Sequence, residues 1–200
     1  MPNWCYTSIT IDGDSNSVKY LESELEKATS RNYVENGFGT SWLGNVVEYL
    51  GCSYNDIPCR GRIEDIICSD GHMQLFLETA WSPQMKPILM LIEHLGLREK
   101  LKFTYEASED GMGLYLTNDE ELVDKYLVEN CTYGDVKIKG PINDWEYDTV
   151  DEATLRDAIC QALEIEIDNE KSIWELIDDL QDEYINVVIH QYEYADEYDV

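Results

Sequence analysis

The chain has 200 residues, 44% hydrophobic and 28% charged, proportions that support a packed core and argue against wholesale disorder or a fibrous repeat. Its charge is extreme: 42 Asp and Glu stand against 14 Lys and Arg, a formal net charge of −28, which argues against direct nucleic-acid binding and against docking on an anionic membrane surface. The acidity is uneven, because residues 1–100 carry 14 acids and 8 bases whereas residues 101–200 carry 28 acids and 6 bases.

Taken in chain order, Trp4 to Ile11 alternates aromatic or β-branched groups with small polar ones and runs into Asp12-Gly13, the pattern of a strand ending in a turn. A helix is predicted over residues 14–28, capped by Asp14 or Ser15, with Val18, Leu21, Leu25 and Ala28 on one face. A second, short helix fits Trp42 to Leu50, with Thr40 or Ser41 as cap and Gly51 closing its end. It reads as an insertion before the next strand. Arg62 to Thr79 holds two β-rich runs divided by Asp70-Gly71, a dipeptide suited to a two-residue hairpin turn. Pairing outward from that turn sets Cys68 against Met73 and Ile66 against Leu75 on the buried face. Ser82-Pro83 then announces a helix over residues 83–96, with Ile88, Leu91, Ile92 and Leu95 as its stripe. Leu101, Phe103 and Tyr105 alternate with polar neighbours as a further strand, and Gly113 to Leu116 can return beyond Asp110-Gly111.

Strand, helix, small insertion, hairpin, helix, strand is the split βαβ arrangement called ferredoxin-like. The predicted class is therefore α+β, with a ferredoxin-like domain over residues 1–118 and an acidic α+β extension over 119–200, docked on the first domain. In the extension, short strands are expected at Tyr126 to Glu129 and Val136 to Lys139, helices at 151–163 and 172–183, and a closing β-rich run from Tyr184 to Tyr194. Thr149-x-x-Glu152 and Ser172-x-x-Glu175 are capping-box patterns for the two helices.

Three segments carry a family resemblance: Met1-Pro2-Asn3-Trp4-Cys5-Tyr6, Cys59-Arg60-Gly61-Arg62-Ile63 and Glu78-Thr79-Ala80-Trp81-Ser82-Pro83. Over roughly residues 1–118 the chain resembles the YubB-type ferredoxin-like domain proteins of plasmids and phages. The resemblance implies a mobile-element origin and an α/β fold. It implies no catalytic residues, and its motif residues look structural, with Trp4 and Trp81 as core aromatics and Ser82-Pro83 as a helix start.

Six cysteines, at 5, 52, 59, 68, 131 and 160, follow an opening that lacks the basic and apolar parts of a secretory signal, so reduced thiols in a cytoplasm are expected. The longest uncharged apolar run, Pro87 to Ile92, falls far short of the roughly 20 residues that span a bilayer. Cys52, Cys59, Cys68 and His72 lack the paired C-x-x-C spacing of a zinc site, and the hairpin register sends Cys68 and His72 to opposite faces. Asp12-Gly13-Asp14-Ser15-Asn16 imitates a calcium loop, but Ser17 and Ser23 occupy its glycine and glutamate positions. Cys5 or Cys131 with His72, His94 or His190 makes only a generic nucleophile pair, and no glycine spacing matches a nucleotide fingerprint. No metal, cofactor or catalytic residue is predicted.

What remains is the acidity. On the helix at 172–183 the stripe Ile173, Leu176, Ile177, Leu180 and Tyr184 is predicted to be buried, leaving Glu175, Asp178, Asp179, Asp182 and Glu183 toward solvent with no base among them. The tail from Glu193 to Asp199 continues the theme. These acids of residues 144–200 are the expected partner-binding surface, directed at a basic surface of a host protein. The expected function is a non-enzymatic interaction protein, a nucleic-acid mimic of a phage or plasmid that inhibits a nucleic-acid-binding or defence factor. The alternatives are a small enzyme with an unrecognised cleft, an accessory structural protein binding through its sheet, and acids that serve solubility alone.

Overall fold

Every second side chain of β1, Trp4–Gly13, is buried: Cys5, Thr7, Ile9 and Ile11 point into a core while Tyr6 and Asp12 face outward. The computed structural model describes residues 3–132, 137–167 and 170–198. It is a mixed α+β structure that divides into two units. One unit runs to Glu120 and includes the segment from Tyr194, and the other is Glu121–Glu193.

In the first unit β1 leads to α1, Ser15–Thr29, then α2, Leu43–Tyr49. The hairpin follows as β2, Gly61–Ser69, and β3, His72–Ala80, and then α3, Lys86–His94, β4, Leu101–Glu109, and β5, Leu114–Thr117. The sheet order is β2-β3-β1-β4-β5, completed by β9, Glu193–Tyr194. β1 is antiparallel to both its neighbours, β3 and β4. Val18, Leu21 and Leu25 of α1 and Ile88, Leu91 and Ile92 of α3 share one core cluster with Ile9, Leu75 and Tyr105 of the sheet, so both helices cover the same face.

The hairpin turns at Asp70-Gly71, with Gly71 at φ 77°, the positive value that such a turn needs. Cys68 pairs with Met73 and Ile66 with Leu75, as the turn chemistry dictates. Farther out the register shifts by one between Ile63 and Asp65. Strict alternation would put Ile63 and Ile66 on opposite faces, and the bulge at Glu64 turns both toward the core.

Several element starts differ from expectation. The helix expected from Pro83 begins at Lys86, with Pro87 in its first turn, where the missing N–H has no intrahelical partner anyway. Trp81 takes a left-handed φ of 74°, the Thr79 hydroxyl donates to the Ser82 carbonyl at 2.8 Å, and the Gln84 amide donates to the Ala80 carbonyl at 2.9 Å. These bonds hold residues 80–84 as a turn. Trp81 is 47% exposed and is not a core aromatic, while Trp4 is half-buried and meets Phe38 edge-on at 6.1 Å. Asp14 caps α1 by accepting from the Asn16 and Ser17 backbones. Neither Thr40 nor Ser41 caps α2, since both lie in a 3-10 turn, Gly39–Ser41, and Trp42 occupies the cap position.

The second unit has its own sheet, ordered β7-β6-β8, from β6, Tyr126–Asn130, β7, Tyr147–Val150, and β8, Val187–Gln191. Its helices are α4, Glu152–Ala162, and α5, Ile173–Glu183. Tyr126, Val128 and Ile189 of the sheet form a second core with Leu155 and Ile159 of α4 and Leu176 and Leu180 of α5. The strand expected at Val136 to Lys139 is not one over 137–139, and Val136 lies outside the described residues. Thr149 pairs with Leu127 in the β6–β7 ladder, so α4 is capped instead by Asp151, which accepts from the Thr154 N–H at 2.7 Å. The closing β-rich run is divided between the two sheets as β8 and β9.

Candidate interaction surface

α5 is amphipathic because Ile173, Leu176, Ile177 and Leu180 recur at three-four spacing and are all buried. Each such side chain contributes about 1.5–3 kcal/mol by leaving water. Its start is a complete capping box: the Glu175 N–H donates to the Ser172 hydroxyl at 3.2 Å, and the Ser172 N–H donates to the Glu175 carboxylate at 2.8 Å. The Ser172 backbone, followed by its hydroxyl, holds the Glu175 carboxyl below its ordinary range, because both stabilise the ionised form.

The structure places all five acids, Glu175, Asp178, Asp179, Asp182 and Glu183, on the exposed side of α5. They are not equivalent. Glu175 is engaged in the cap, and Asp179 accepts from the Lys171 ammonium at 2.8 Å, so a base that sits just outside the helix does reach this face. Among the described residues, Asp178, Asp182 and Glu183 are left as open anions. Like charges four residues apart on a helix destabilise it by about 0.2–0.5 kcal/mol per pair, and Asp178 with Asp182 and Asp179 with Glu183 are such pairs.

Trp174 belongs to this face although the acidic pattern did not single it out. It is 47% exposed, packs edge-on against the Tyr126 ring at 5.9 Å, and heads the row Trp174, Asp178, Asp182. The i, i+4, i+8 spacing is its signal in the sequence. The whole unit carries 20 Asp and Glu against 5 Lys and Arg over residues 121–193.

The tail acids behave differently. Ala195 donates its N–H to the Thr117 carbonyl at 2.9 Å, and Glu197 is buried against Arg98, so Glu197 is not part of an open acidic display. Asp199 lies outside the described residues. Among the described residues no group of three or more His, Cys, Asp and Glu side chains comes together to hold a metal ion. The cysteines weighed as ligands lie apart in role: Cys59 is buried, Cys68 sits on the core side of β2, and His72 meets Asp12 at 2.8 Å across β1 and β3. Burial pushes the thiols of Cys5 and Cys59 up to about 11, which keeps them protonated and poorly nucleophilic at neutral pH.

Compared with known proteins, the chain matches no family model, no curated protein and no solved structure.

Proposed function

We propose that this chain is a non-enzymatic interaction protein whose second unit offers an acidic surface to a basic surface of a host protein. The observation that carries this reading is the outward face of α5, where Asp178, Asp182 and Glu183 project to solvent and Lys171 is set against the neighbouring Asp179. Carboxylates held on a rigid helix present fixed negative charge to the lysines and arginines that otherwise grip phosphates. In this reading the protein is a nucleic-acid mimic that blocks a nucleic-acid-binding or defence factor in the cytoplasm. The strand order β2-β3-β1-β4 with two covering helices supports the finer assignment of the first unit as ferredoxin-like. The resemblance of the segments around Trp4, Arg60 and Trp81 to YubB-type proteins supports an origin in a phage or plasmid.

The test is capture from a bacterial lysate by the immobilised chain, at low and high salt, beside the triple variant Asp178→Asn, Asp179→Asn, Asp182→Asn. A partner is expected to bind at low salt, to leave as salt rises because exposed charges are screened within about 8 Å at physiological ionic strength, and to be displaced by excess duplex DNA. The triple variant should melt like the parent and lose the partner. Equal capture by parent and variant at every salt concentration would leave the acids with a solubilising role only.

A further inference from the structure

The insertion between α1 and β2 supplies most of the lining of an open cleft of about 540 Å³, inside the range of about 300–1,000 Å³ usual for small-molecule sites. Phe38, Trp42 and Tyr54 line it with aromatic rings. Trp42 is 7% exposed and meets Tyr54 edge-on at 5.2 Å. Its six-membered ring lies over Gly44, where a Cβ would stand 2.3 Å from a ring carbon. The absence of a side chain at Gly44 is thus what lets the indole take this position.

The walls are fixed by side-chain amides bonded to backbone. Asn45, fully buried, donates to the Gly39 and Thr40 carbonyls at 3.2 and 2.9 Å and accepts from the Tyr33 N–H at 3.2 Å. Asn36 accepts from the Phe38 N–H at 2.6 Å, and Gln84 accepts from the Arg60 N–H at 2.6 Å. A loop held this way is shaped before any ligand arrives, which removes much of the ordering cost of binding. Arg60, Asp56 and Asn55 also line the cleft. Among the described residues Arg60 and Asp56 make no ion pair.

We propose that this cleft binds the zwitterion of a free α-amino acid with an aromatic or large apolar side chain. The ligand carboxylate meets Arg60, its ammonium meets Asp56, and its side chain packs against Phe38, Trp42 and Tyr54. Charge selects this class. A simple anion would approach a chain of net charge −28 against repulsion, and a simple cation would leave Arg60 unmatched. A zwitterion answers both groups and adds no net charge. The inference is independent of partner binding by α5.

The experiment titrates the ¹⁵N-labelled chain with L-phenylalanine while following the indole N–H resonances of its five tryptophans, with that of Trp42 assigned by its loss in Trp42→Phe. The expected result is a saturable shift of the Trp42 resonance, with those of Trp81 and Trp174 unmoved. Phenethylamine, which lacks the carboxylate, and 3-phenylpropionate, which lacks the ammonium, should each bind about tenfold more weakly, the loss of one charge-assisted contact. Arg60→Gln should abolish the preference over phenethylamine, and Asp56→Asn the preference over 3-phenylpropionate. Both positions are exposed, so neither change disturbs the core. No Trp42 shift at about 20 mM L-phenylalanine, a millimolar-scale ceiling for a specific small ligand, would overturn the proposal. So would analogues that bind as well as the amino acid, or variants that keep the parent's preferences.

Discussion

The Glu197 carboxylate meets the Arg98 guanidinium at 2.5 Å although 99 positions separate the two residues. Glu197 is 7% exposed, and its second oxygen accepts from the Asn118 amide at 2.7 Å. The next residue extends the latch: the Tyr198 hydroxyl accepts from Arg98 at 3.0 Å and donates to Glu93 at 2.9 Å. The Tyr105 hydroxyl donates to the Ala195 carbonyl at 2.9 Å. Residues 194–198 are thereby strapped to the first unit.

Arg98→Ala leaves the Glu197 carboxylate buried without its cation. We expect a loss of about 1–3 kcal/mol in stability, measured by urea denaturation, and faster clipping of the last residues by carboxypeptidase. Clipping at the parent rate would mean that the strap does not depend on this pair.

Gly44→Ala drives a methyl into the Trp42 ring. Overpacking of this kind costs about 1–3 kcal/mol, and the near-ultraviolet circular dichroism of Trp42 should change with it. An unchanged spectrum and midpoint would show that the indole moves aside freely.

Ser172→Ala removes the hydroxyl half of the α5 capping box. The expected cost is about 1 kcal/mol, read as a shift in the denaturation midpoint with an unchanged slope.

Three helix-start carboxyls respond to acid in the same direction. Asp14 is held below its ordinary range by the Ser17 hydroxyl and backbone, Asp151 by the Thr154 backbone and hydroxyl, and Glu175 by the Ser172 backbone and hydroxyl. Each therefore favours the fold fully above the ordinary carboxylate range, near pH 4, and loses that contribution as pH falls through its lowered folded value. Asp151→Asn keeps a good cap and should flatten this acid limb of the stability curve. A parent and variant with identical pH profiles between about 2 and 5 would remove Asp151 from the account.

Local chemistry was the legible part. Asp70-Gly71 set the hairpin and its first pairs because a two-residue turn constrains its immediate flanks, and the 3.6 periodicity of Ile173, Leu176, Ile177 and Leu180 placed the five α5 acids outside. The bulge at Glu64 was not legible, because it answers a tertiary demand on Ile63. Two signals competed before α3, and the left-handed Trp81 settled the start at Lys86 instead of Pro83. Thr149 and Asp151 are both sound caps, and the choice fell to the strand that claimed Thr149. β7 went unseen because Tyr147-Asp148-Thr149-Val150 is an edge strand with little buried surface to impose alternation. Lys171 reaching Asp179, and Arg98 reaching Glu197, obey no helical or strand spacing, and so the charge left open on either surface could not be counted beforehand.

The strap that ends in Glu197 and Tyr198 also orders events during synthesis. β9 is completed only at Tyr194, after Glu121–Glu193, and its latch later still, so the outer edge of β5 stays open while the second unit leaves the ribosome. A nascent chain stalled at residue 190 would expose an unsatisfied strand edge, together with Arg98 and Asn118 awaiting their carboxylate. Closure of the first sheet along β5 thus waits for β9.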